Sequence, residues 1–110
     1  MIPADQIRSL LAEAYELAKQ SHSRCYDDYD TGLLTDKRAV MRYAAACISK
    51  YAAAAAIYWE HPELEDGKFI KLIGQFDRVT LEAKKFYASK NNATGFCIEL
   101  QYLEDMLRGE

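Results

Sequence analysis

The chain has 110 residues, half of them hydrophobic, and a formal net charge of −3. That length suits one small domain over residues 1–110, with enough apolar content for one core. The mild acidity speaks against a dedicated nucleic-acid binder, and no apolar run reaches the roughly 18 residues needed to span a bilayer.

Only five glycines and two prolines interrupt the chain, alanine is abundant and β-branched residues are few, so propensity leans to helix. The opening "MIPADQIRSLL" lacks the basic and continuous apolar regions of a secretory leader. The three cysteines form no CxxC pair and are odd in number, which predicts reduced, buried thiols. These features together lead us to expect a cytoplasmic protein with neither nucleic-acid nor membrane partners.

The first helix is expected to begin after Pro3, a residue suited to a first turn. At 100° per residue, Ile7, Leu10, Leu11, Ala14, Leu17, Ala18 and Cys25 share one face, and Arg8, Glu13, Glu16, Lys19, Gln20 and Arg24 point outward. The phase holds to Tyr29, so the helix is predicted to run to about Asp28. Gly32 can close it, Thr35 or Asp36 can cap the next helix, and Leu33 and Leu34 are apolar loop residues.

The second helix is predicted from about Asp36 to Glu60. Val40, Met41, Tyr43, Ala44, Cys47, Ile48, Tyr51, Ala55, Tyr58 and Trp59 give it a wide apolar arc, Arg38, Arg42, Ser49 and Glu60 mark a narrow polar strip, and Ala45, Ala46, Ala52, Ala53 and Ala56 lie between the two. That pattern predicts a central helix packed by several neighbours. Pro62 ends it, and Asp66 is the expected cap of a third helix over 67–89. Phe69, Leu72, Ile73, Phe76, Val79, Ala83, Phe86 and Tyr87 form the third helix's apolar stripe. A shorter helix over 94–108 is expected to bury Phe96, Leu100, Leu103, Met106 and Leu107. Short links favour antiparallel neighbours, so the expected fold is an all-α, antiparallel four-helix bundle, up-down-up-down, with three long helices and a shorter C-terminal one.

The acidic stretch "CYDDYDTGLLTDKR" invites a calcium-loop reading. With Asp27 first, Gly32 falls correctly at position six, but Tyr29 and Thr31 replace ligands and Arg38 replaces the closing glutamate. With Asp28 first, Gly32 arrives one position early, so neither register fits. The alternatives are a solvated helix end with ion pairs to Arg24, Lys37 or Arg38, or a site for a cation or basic partner. His22 and Cys25 have a spacing that zinc accepts, but further ligands would have to come from His61, Cys47, Cys97 or the carboxylates. No metal or cofactor is expected, and a core-facing His22 bonded to a hydroxyl is the preferred reading.

The eight tyrosines leave three readings open: a bundle rim, a subunit interface, or a polar-lined pocket. Lys71, Arg78 and Lys85 recur every seven residues, facing solvent or the acidic Glu99, Glu104 and Asp105 of the last helix. There is no Gly-rich phosphate loop, GxSxG, HExxH or paired ExxH. The expected function is therefore non-catalytic: a helical bundle acting through protein–protein contacts, with a homodimer suggested by the wide apolar arc of the second helix. The alternative is a small-ligand or cation-binding bundle, with its site at Tyr26, Asp27, Asp28, Tyr29, Asp30, Arg38 and Arg42.

Overall fold

The computed structural model describes residues 2–24, 37–89 and 94–109. They form four α-helices and one 3-10 turn: α1 (Pro3–Ser23), α2 (Lys37–Glu60), the turn Pro62–Leu64, α3 (Gly67–Ser89) and α4 (Thr94–Arg108). Among the described residues there is no strand, and the fold is all-α with bundle-like packing. Cys25, Gly32, Leu33, Leu34, Thr35, Asp36 and the side chain of Tyr87 lie outside the described residues.

α1 stops at Ser23, five residues before the expected Asp28. The local chemistry ends it. The Arg24 N–H bonds back to Ser21 O at 3.1 Å, a tightened last turn. The carbonyl it would otherwise meet, Gln20 O, accepts instead from Ser23 Oγ at 3.0 Å and the Arg24 guanidinium at 2.9 Å. Side chains thus satisfy a helix end that more backbone would have satisfied.

The α2–α3 connection follows its sequence closely. Asp66 Oδ1 accepts the Lys68 N–H at 2.9 Å, the expected cap. The Asp66 N–H in turn donates to the Tyr58 hydroxyl at 3.2 Å, tying the turn to α2. Carboxylate support also reaches α4, because the Glu82 side chain of α3 lies against Gly95 in its first turn.

The main core joins Ala14 and Ala18 of α1, Val40, Ala44, Cys47 and Tyr51 of α2, and Leu72, Phe76, Val79, Ala83 and Phe86 of α3 with Phe96, Cys97, Leu100, Leu103 and Leu107 of α4. Ring stacking organises it: Tyr51 lies on Phe76 with centroids 3.6 Å apart, and Phe86 on Phe96 at 5.5 Å. A second cluster gathers Ile7, Ala54, Tyr58 and Phe69 beside the α2–α3 turn. Small residues let α1 and α2 approach closely along their length, and Ser21 Oγ donates to Val40 O at 2.8 Å across that seam.

Two expectations for α2 are corrected. Its apolar arc does not include Trp59, which is 64% exposed. Nor are its alanine flanks all packed, since Ala45, Ala52, Ala53 and Ala56 face solvent beside the exposed polar strip of Arg38, Arg42, Ser49 and Glu60. α2 packs chiefly on α1 and more lightly on α3, and α4 sits against α1 and α3. Two neighbours leave one side of α2 open. No helix among the described residues is long and apolar enough to cross a membrane.

Candidate functional site

Of the residues singled out around the acidic stretch, Tyr26, Asp27, Asp28, Tyr29 and Asp30 lie outside the described residues. Arg38 and Arg42 occupy the first turns of α2 and are exposed. The Arg42 guanidinium sits 4.9 Å from the Tyr43 ring centroid, and that of Arg24 sits 4.6 Å from the same ring. Lys37, Arg38, Met41 and Arg42 border a shallow hollow of about 370 Å³. The two described residues of that site are therefore cationic and, by themselves, suit an anion better than a cation.

His22 is half-buried, and its Nδ1 lies 3.3 Å from Glu104 Oε2 on α4. The atoms are close enough for an ion pair but not aligned for a hydrogen bond. Sequence reading did not supply this carboxylate, because nothing in the spacing of α4 shows which helix it faces. His61 pairs locally with Glu63, Nδ1 to Oε1 at 3.0 Å. That contact and the hydrogen bond to Glu63's own backbone N–H, the larger influence, hold its carboxyl below the usual range. Among the described residues, no group of three or more His, Cys, Asp or Glu is placed to hold a metal ion.

Cys47 and Cys97 are buried free thiols. Burial pushes the Cys47 thiol up to about 12, so it is no nucleophile at neutral pH. The tyrosines divide. Tyr51 is a core residue whose hydroxyl finds no hydrogen bond, and burial raises its pKa, disfavouring the phenolate, with Asp77 adding to the effect. Tyr58 is buried with its hydroxyl engaged, Tyr15 and Tyr43 are half-buried, and Tyr102 is exposed. Glu99 accepts from Gln75 Nε2 at 2.8 Å, so this α4 carboxylate is held by an amide of α3 rather than by its basic ridge.

Two hollows flank the α2–α3 turn. One, of about 310 Å³, lies between α1 and α3 and is lined by Ile7, Arg8, Leu11, Tyr58, Asp66 and Phe69 among others. The other, of about 420 Å³, opens on the outside between Trp59, His61, Pro62, Gly67 and Ile70. Ile70 is 46% exposed at its rim, beside Trp59.

The outer hollow continues into the open side of α2. Ala45, Ser49, Ala52, Ala53, Ala56 and Trp59 are all exposed, and no charged side chain interrupts them. They lie opposite the buried set Val40, Ala44, Cys47, Tyr51, Ala54 and Tyr58. Lys50 flanks the stripe but leans away, toward Glu13 of α1 at 3.3 Å. Solvent-facing helix surfaces are ordinarily charged. This one presents about 20 Å of methyl groups ending in an indole. Its one hydroxyl is that of Ser49, among alanines.

The chain matches no family model, no curated protein and no solved structure.

Proposed function

We propose that this protein works by protein–protein contact, without catalysis, and that the open side of α2 is its contact surface. One observation carries the reading: the exposed stripe from Ala45 to Trp59 is uncharged over four turns, and Trp59 and Ile70 add exposed apolar area at its end. Alanine and serine let a partner helix approach to the short end of the 8–10 Å range of axial distances. A cytoplasmic setting suits two buried, reduced thiols at Cys47 and Cys97.

The same proposal includes a chain path. Ser21 meets Val40, Glu13 meets Lys50, and Ile7 clusters with Ala54 and Tyr58, the pattern of an antiparallel α1–α2 pair. Tyr51 on Phe76 and Tyr58 on Phe69 give the same sense to α2 and α3. α4 is read as crossing α3 obliquely rather than running beside it. Its Phe96 and Glu99, about 4.5 Å apart along the axis, reach Phe86 and Gln75, which are about 16 Å apart along theirs.

The experiment compares the wild-type chain with an Ala52→Glu, Ala56→Glu variant. Both are expected to show the same helicity and monomer melting behaviour, since neither alanine is buried. Light scattering and affinity capture from the native host are expected to show association with the wild type only. Identical hydrodynamic size and identical captured proteins for the two chains would remove the reading. The cation-site alternative draws its ligands from Asp27, Asp28 and Asp30, and its test is a melting shift on metal addition.

A further inference from the structure

Resting on that contact surface, we propose that its occupant is a second copy of this chain, with the two α2 helices packed antiparallel about a twofold axis between Ser49 and Ala52. Three observations lead there. First, the open side of α2 is spaced as a seam. Arg38, Arg42, Ala45, Ser49, Ala52, Ala56 and Trp59 follow one another at alternating steps of four and three residues. That heptad spacing keeps one stripe facing one partner helix along its whole length. All seven are exposed, so nothing within the described chain uses the seam.

Second, the seam is charged at its ends only, and with opposite signs. Arg38 and Arg42 stand at its start, and Glu60, Glu63 and Glu65 are exposed around its end. A parallel pair would set Arg38 and Arg42 against their own copies and the glutamates against theirs. An antiparallel pair sets Arg42 over the other copy's Trp59 with Glu60 adjacent, and Arg38 toward the other copy's outer hollow, which Glu65 borders beside Trp59. The arginine already lies on an aromatic ring, that of Tyr43, at 4.9 Å, so its approach to indole exchanges or shares a contact of the same kind.

Third, one register makes the middle self-complementary. With Arg42 facing Trp59, Ala45 faces Ala56 and Ser49 faces Ala52, each reciprocally across the twofold. Small residues meet small residues throughout the centre, and the bulky groups meet only at the two ends. Such an interface is isologous and closes at two subunits, so it gives a dimer and not a filament.

Cysteine cross-linking tests the arrangement in the full-length chain carrying Cys25→Ser. Chains with Ala45→Cys alone or Ala56→Cys alone are expected to form no interchain disulfide, because like positions lie about 16 Å apart along the antiparallel pair. An equimolar mixture of the two is expected to cross-link. Arg38→Glu is expected to weaken the dimer by sedimentation equilibrium, and Arg38→Glu with Glu65→Arg to restore it. Cross-linking of Ala45→Cys to itself would show a parallel pair and overturn the proposal. A wild-type chain that stays monomeric at hundreds of micromolar would also overturn it. A monomer that still captures a host protein which Ala52→Glu, Ala56→Glu loses would end the second-copy inference and leave the contact surface standing.

Discussion

The two sides of α2 are built from nearly the same residues and do opposite things. Inward, Ala44, Cys47, Tyr51, Ala54 and Tyr58 are buried against α1 and α3. Outward, Ala45, Ser49, Ala52, Ala56 and Trp59 meet solvent. Each side carries alanines and a large aromatic group toward the C-terminal end, and neither carries a charge in its middle. The difference lies in what sits opposite. Inward aromatics find rings to stack on, Phe76 and Phe69, whereas Trp59 has only the edge of Tyr58 at 5.1 Å. Among the described residues, then, α2 is apolar on both sides and has neighbours on one.

The sharpest way to break this comparison is one substitution on each side. Ala54→Glu puts an unpaired carboxylate into a fully buried site and is expected to cost more than about 4 kcal/mol, enough to unfold the chain by denaturant titration. Ala52→Glu, two residues away, is expected to change monomer stability by less than about 0.5 kcal/mol. Equal losses for the two would mean that the outer side is not free.

The next effect in size concerns the inner thiol. Cys47 is neutral in the fold up to about 12, whereas in the unfolded chain it ionises nearer its ordinary value of 9.0. The unfolded state therefore sheds its proton first, and stability falls as pH rises from about 9 toward 12. Cys47→Ala is expected to flatten that fall in chemical denaturation series at pH 8 and pH 10.5. Labelling of Cys47 by a maleimide at pH 7 is expected to require global unfolding.

Smaller effects separate the two buried tyrosines and the turn they adjoin. Asp66→Ala is expected to cost about 1 kcal/mol by removing the cap of α3. Tyr58→Phe leaves the Asp66 N–H without its acceptor and is expected to cost about 1 kcal/mol. Tyr51→Phe removes a buried hydroxyl that makes no hydrogen bond, so it is expected to leave stability unchanged or raise it by about 1 kcal/mol. A loss at Tyr51 equal to that at Tyr58 would show that its hydroxyl has a partner in solution.

Much of the architecture was legible beforehand because it rests on local rules. Pro62, Asp66 and the stripe from Phe69 to Phe86 marked α3 through capping chemistry and a 3.6-residue period. The end of α1 was not legible, because the apolar phase runs on past Ser23 while the carbonyl of Gln20 is taken by side chains. Most of the candidate site residues, Tyr26, Asp27, Asp28, Tyr29 and Asp30, lie outside the described residues. Arg38 and Arg42 sit together at the start of α2, exposed on the polar strip that periodicity expected, and it is the exposed alanines continuing that strip that the pattern did not separate from the covered ones. His22 gained Glu104, more than 80 residues away, from an inter-helix contact that spacing cannot encode.

What the amino-acid order determined by itself was the set of rods: where helices start and which residues share a face. Those properties depend on neighbours within about four residues, so the chain states them directly. Only the tertiary structure decided which apolar face is covered. Coverage depends on how many helices pack around α2, and a stripe of alanine looks the same in sequence whether another helix lies on it or water does.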